Sequence, residues 1–73
     1  MNSITVVFGA NDQAWNVPAG TTVGALKLDM NLKSILEFGE NMEASINGNV
    51  VQDSHVLIGG EEVVLQTKQN DKN

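Results

Sequence analysis

The sequence predicts an α+β domain in which a mixed sheet of four to five strands carries one helix, straight or kinked, on one face. Three observations predict it. Short β-branched runs alternate with period two near both ends of the chain. A central segment spaces its apolar residues by three and four. An Asn-Gly pair, Asn47-Gly48, divides two further apolar runs in the manner of a hairpin turn. With 73 residues there is room for a single domain, expected over 1–67, and the polar end over 68–73 is expected to be disordered. A chain of this size buries only about 60% of its unfolded surface, so its stability is expected to be marginal.

The first run, SITVVF, puts Ile4, Val6 and Phe8 on one face of a strand and Thr5 and Val7 on the other. The cluster GAND, Gly9 to Asp12, reads as a turn. QAWNV then forms the return strand, with Trp15 and Val17 on one face and Ala14 and Asn16 on the other. Pro18 ends that strand because it has no N–H to donate to a ladder.

The segment TVGALKLDMNLKSILEFG is helical in pattern but carries two stripes slightly out of phase. Val23, Leu26 and Met30 make one, and Leu28, Leu32, Ile35 and Leu36 make the other. Asp29 and Asn31 lie between them and are both capping residue types. One kinked helix and two short helices fit equally well. Gly39 is placed to end the helical part as a left-handed cap. Gly24 is out of keeping with a helix start, where it costs up to about 1 kcal/mol against alanine; close packing on the sheet or a frayed first turn accounts for it.

Met42, Ala44 and Ile46 alternate with Glu43 and Ser45, and Asn47-Gly48 supplies the positive φ angles of a type I′ turn before Val50 and Val51. DSHVLIGG is a short connection closing on Gly59-Gly60. EEVVLQTK is the last strand, with Val63 and Leu65 on one face and Glu62 and Val64 on the other. A strand, helix and strand crossover of this kind is expected to be right-handed.

Composition narrows the function. There is no cysteine, which excludes disulfides, thiolate metal sites and a cysteine nucleophile. Nine acids face four lysines and no arginine, a net charge of −5. Phosphate backbones are gripped by lysine and arginine, so a nucleic-acid partner is not expected. No apolar run nears the roughly 20 residues that span a bilayer, and the start Met1-Asn2-Ser3 lacks the basic residues of a signal peptide. A cytoplasmic protein with no membrane partner is expected.

From Ile4 to Gln66 the chain resembles the β-grasp proteins, ubiquitin and the sulfur carriers of thiamine and molybdopterin synthesis. TVGALK looks like the start of the carriers' helix. ASINGNVVQDSHVLIGGEEVVLQ looks like their second half: a strand, an Asn-Gly hairpin, a connection, a glycine-acid turn and a final strand. The resemblance implies a β-grasp fold and raises one question. The carriers end in a reactive Gly-Gly beyond the last strand, whereas Gly59-Gly60 precedes EEVVLQ and the sequence here ends in QNDKN. Gly59-Gly60 is therefore read as a turn needing positive φ, and no carrier residue transfers to this sequence.

The remaining candidates point away from chemistry. His55 is the only histidine, and Asp53-Ser54-His55 is no triad because triad members meet through the fold; it is read as a surface residue. Glu61 and Glu62 are adjacent and point to opposite faces of a strand. The glycines show no phosphate-binding spacing. No catalytic, cofactor or metal residue is assigned, and an enzyme is not expected. Glu37, Glu40 and Glu43 are expected to form an acidic surface, and Asn47, Gly48, Gly59 and Gly60 to be structural turns. Trp15 is read as core. The strand holding Gln13, Trp15 and Val17 is expected at a sheet edge, where free backbone groups accept a partner strand. The expected function is a non-enzymatic, ubiquitin-like interaction module that binds a partner protein or a second copy through a sheet face or an edge. The alternatives are a degenerate sulfur-carrier or conjugation protein, and a small acidic inhibitor, of phage or other viral origin, that covers a basic host surface.

Overall fold

The computed structural model of the chain describes residues 2–39 and 41–67. Seven elements run in the order β1 (Asn2–Phe8), β2 (Asn11–Val17), α1 (Val23–Lys27), α2 (Met30–Leu36), β3 (Met42–Ile46), β4 (Asn49–Val51) and β5 (Glu62–Thr67). The strands form one five-stranded sheet in the order β2-β1-β5-β3-β4. The central pair β1 and β5 is parallel, while β1–β2, β5–β3 and β3–β4 are antiparallel. This is the β-grasp arrangement, with both helices on one face of a mixed sheet. The expected tail over 68–73 lies outside the described residues.

The two hairpins follow from their turn residues. Phe8 pairs with Asn11, so the first turn has only Gly9 and Ala10 at its centre, and β2 begins two residues earlier than GAND as a turn implies. Gly9 has φ +63, the glycine-first pattern of a type II′ turn. In the second hairpin Ile46 pairs with Asn49, and Asn47 and Gly48 have φ +55 and +82. Both central residues are left-handed, as a type I′ turn demands and as Asn-Gly tolerates.

The helical segment resolves into two helices. Asp29 ends the first and caps the second: its Oδ1 accepts the N–H groups of Asn31 (3.0 Å) and Leu32 (3.2 Å). The break resets the helical phase. Val23 and Leu26 from α1 and Leu32 and Leu36 from α2 are buried together, two residues from each of the stripes expected from spacing and neither stripe whole. Leu28 and Met30 fall at the seam and are 73% and 75% exposed, and Ile35 also points outward.

Gly39 does not cap α2. Glu37 takes the left-handed position, φ 62 and ψ 36, and its N–H bonds to the Lys33 carbonyl. The reason lies one residue on. Two residues along a helix turn by about 200°, so a longer α2 would aim Phe38 away from the face of Leu36. Reversal at Glu37 returns Phe38 to the core, edge-on to Phe8 with ring centroids 6.1 Å apart.

The core lies between helices and sheet. Ile4, Val6, Ala44, Val63 and Leu65 form its floor, and Leu57 from the β4–β5 connection closes one side. Among the described residues no polar or charged residue is buried.

Candidate interaction surface

The sheet register positions the candidates that lie on strands. Ile4, Val6, Val63, Leu65, Met42, Ala44 and Ile46 face the helices, so the alternate residues of each strand face the other way. No element among the described residues covers that second face. Its central row can be read strand by strand: Asp12 on β2 pairs with Val7 on β1, Val7 with Val64 on β5, Val64 with Ser45 on β3, and Ser45 with Val50 on β4. Val7, Val64 and Ser45 are half-buried by their neighbours, and Val50 is 63% exposed. A second row runs Ala14, Thr5 and Glu62, and Gln66 with Glu43 lies on the far side of Val64.

The acids expected to share a surface do not share a face. Glu43 points out from the open face of β3, whereas Glu37 caps α2 in the helical layer. Glu40 lies outside the described residues. The acids that do join Glu43 on the open face are Asp12 and Glu62. Their side was legible from strand alternation; their proximity to Val7 and Val64 was not, because it depends on the strand order.

β2 is an edge strand, as is β4. The side chains of Gln13, Trp15 and Val17, however, project toward the core side of the sheet, each opposite a core-facing residue of β1 or its neighbour. Val17 is buried. Trp15 is half-buried against the core, and its indole N–H donates to Asp29 Oδ2 at 3.3 Å. It is thus a bridge from sheet to helical layer rather than a wholly enclosed core residue. The Gln13 amide donates to the Ala14 carbonyl at 3.1 Å.

The β4–β5 connection is tied down along its length. Val23 and Gly24 at the start of α1 donate to the carbonyls of His55 (2.9 Å) and Asp53 (2.9 Å), and Leu57 donates to Thr21 (2.8 Å). These bonds satisfy helix N–H groups that would otherwise lack partners. They also explain Gly24: a Cβ there would stand 3.1 Å from the Asp53 Cβ and 3.3 Å from its carbonyl oxygen. His55 is half-buried, not a plain surface residue. Its Nε2 lies 3.3 Å from Glu61 Oε2, while Glu61 Oε1 accepts the Ile58 N–H at 2.8 Å. Both side chains therefore clip the connection.

The helical layer holds a shallow groove of about 400 Å³ lined by Gly24, Lys27, Leu28, Lys33 and Asp53. Lys27 is occupied, with its Nζ 2.6 Å from Asp53 and donating to the Met42 carbonyl at 3.0 Å. No group of three or more histidine, aspartate or glutamate side chains converges as a metal site among the described residues. No helix among them is long and apolar enough to cross a membrane.

Gly59-Gly60 is a turn inside the fold. Gly60, with φ +90, donates to the Ser3 carbonyl at 2.8 Å, and β5 follows, paired on both sides. Gly59 does not take positive φ; it passes close to Asn2, which a Cβ would meet at ordinary contact distance.

No family model matches this chain, and no curated protein sequence matches it. Solved structures do. The ubiquitin of Caldiarchaeum subterraneum superposes with a TM-score of 0.71 at 18% identity, over 97% of this chain and 98% of that one. SAMP1 from Haloferax volcanii gives 0.70 at 18% identity, over 97% and 100%. A putative molybdopterin converting factor subunit 1 from Pyrococcus furiosus gives 0.70 at 20% identity, over 89% and 95%. The shared property is the fold: β-grasp, ubiquitin-like and similar to the sulfur carriers.

Proposed function

We propose that this chain is a non-enzymatic, ubiquitin-like interaction domain that docks onto a partner protein through the open face of its sheet. One observation carries the reading. Five strands align a continuous row, Asp12–Val7–Val64–Ser45–Val50, on the face that the helices leave bare. The row's three valines, with Ser45 between Val64 and Val50, give a partner apolar surface to desolvate, and they are held on paired strands, so little ordering is needed on binding. The open face is favoured over the β2 edge, where the Gln13 amide already occupies the Ala14 carbonyl.

The carrier alternative loses its best feature, since the glycine pair is followed by a central strand rather than standing at a flexible terminus. Affinity capture from cells that express the protein tests the docking reading. The native chain is expected to retain a partner that Val64→Asp and Val50→Asp chains lose, with thermal melting showing that both variants fold. Retention of the same partner by both variants would reject the open face.

A further inference from the structure

We infer that the partner docking on this open face is a protein surface with an apolar centre and a rim of lysine and arginine. The inference rests on the docking reading above and adds the chemistry of what docks.

Acids stand on both sides of the molecule, but the lysines among the described residues stand on one. The open face presents Asp12, Glu43 and Glu62. Both lysines among the described residues, Lys27 and Lys33, belong to the helices. Among the described residues Lys27 pairs with Asp53 and His55 contacts Glu61, so neither contact involves any of the three open-face acids.

The placement of the acids is as informative as their sign. Asp12 stands at the β2 end of the valine row. Glu62 precedes Val64 by two residues and Glu43 precedes Ser45 by two. Because β3 and β5 are antiparallel, these two acids lie on opposite sides of the row, as the pairing of Glu43 with Gln66 also shows. An apolar strip is therefore bounded by negative charge on three sides. That matches the division of a protein interface into a desolvated centre and a polar rim. Cations on the partner would relieve the repulsion among the acids and steer the encounter. The same arrangement repels phosphate backbones and anionic lipid surfaces.

The test uses the full chain, isotope-labelled for NMR, and two synthetic amphipathic peptides with identical valine and leucine positions. One carries lysine and arginine at its polar positions, the other glutamate. The cationic peptide is expected to shift the amides of Val7, Ser45, Val50 and Val64, and the anionic one to leave them unmoved. Rim pairs are each worth about two- to fivefold in affinity, so the Asp12→Asn, Glu43→Gln, Glu62→Gln triple variant is expected to bind the cationic peptide roughly tenfold more weakly. Glu37→Gln, on the helical side, is expected to bind as the native chain does, and raising the salt from about 50 to about 500 mM should weaken native binding more than that of the triple variant. Absence of binding, shifts centred on the helices, or a triple variant that binds as tightly as the native chain would overturn the inference. Val64→Ser separates the two readings: if it weakens binding while the triple variant does not, docking on this face stands and the basic rim falls. If neither change matters, both fall.

Discussion

Single backbone positions carry more information here than single side chains. Glu37 sits in the left-handed region, where a residue with a Cβ costs roughly 1–2 kcal/mol. Glycine would relieve that cost while losing some entropy in the unfolded chain. Glu37→Gly is therefore expected to stabilise the domain by about 0.5–1 kcal/mol, seen as a rise of a few degrees in thermal melting; a lower midpoint would contradict this account of the cap. Gly24 makes the opposite case. Alanine is the better helix former by up to about 1 kcal/mol, but its Cβ would press on an Asp53 carbonyl that the Gly24 N–H itself holds at 2.9 Å. Crowding of this kind costs about 1–3 kcal/mol, so Gly24→Ala is expected to destabilise by about 1 kcal/mol in urea unfolding. Sequence flagged Gly24 as out of place and left two explanations open; the partner that crowds it is 29 residues away in a connection whose path no local pattern reveals. At the end of α2 the pattern pointed to Gly39, the obvious left-handed residue. The demand that Phe38 reach the core moved the reversal to Glu37, a tertiary requirement overriding a local preference.

At the scale of elements, short-range signals were read well and phase was not. Asn47-Gly48 and the alternating runs determine hairpins and strand faces because both depend only on neighbours a few residues apart. The buried side of the helical segment depends on where Asp29 interrupts it, and both a kink and a break satisfied the spacing. Asp29 now appears as a joint. One carboxylate oxygen caps α2 and the other accepts the indole N–H of Trp15, linking β2 to the helices. Loss of an N-cap costs about 0.5–2 kcal/mol and loss of a side-chain hydrogen bond about 1 kcal/mol. Asp29→Ala is thus expected to destabilise by about 2 kcal/mol. Asp29→Asn retains an oxygen for the cap but leaves the indole facing an amide donor, and is expected to cost about half as much. The single tryptophan makes fluorescence during chemical unfolding a direct readout; equal losses in the two variants would show that the cap contributes nothing, and an Asp29→Asn chain as stable as the native one would show that the Trp15 contact contributes nothing.

The whole molecule is organised around its last strand. β5 lies at the centre of the sheet, between β1 and β3, although it comes at the end of the described chain. The open-face row and the core floor both pass through it: Val64 on one side, Val63 and Leu65 on the other. Strand faces were legible from alternation, but this order was legible only through the resemblance, since a parallel pairing between the first and last strands leaves no local trace. The consequence is testable on the glycine pair. A chain ending at Gly60 would have the terminus of a carrier, yet it would lose a strand hydrogen-bonded on both edges and two side chains with at most 1% of their surface exposed. Burying each such side chain contributes about 1.5–3 kcal/mol, and the unpaired backbone of β1 and β3 adds to the deficit, against a total stability of about 5–15 kcal/mol for a whole domain. The truncated chain is expected to show no cooperative melting transition and no dispersed amide spectrum. If it folds, the glycines can serve as a terminus after all, and the open face loses the strand that joins its two halves.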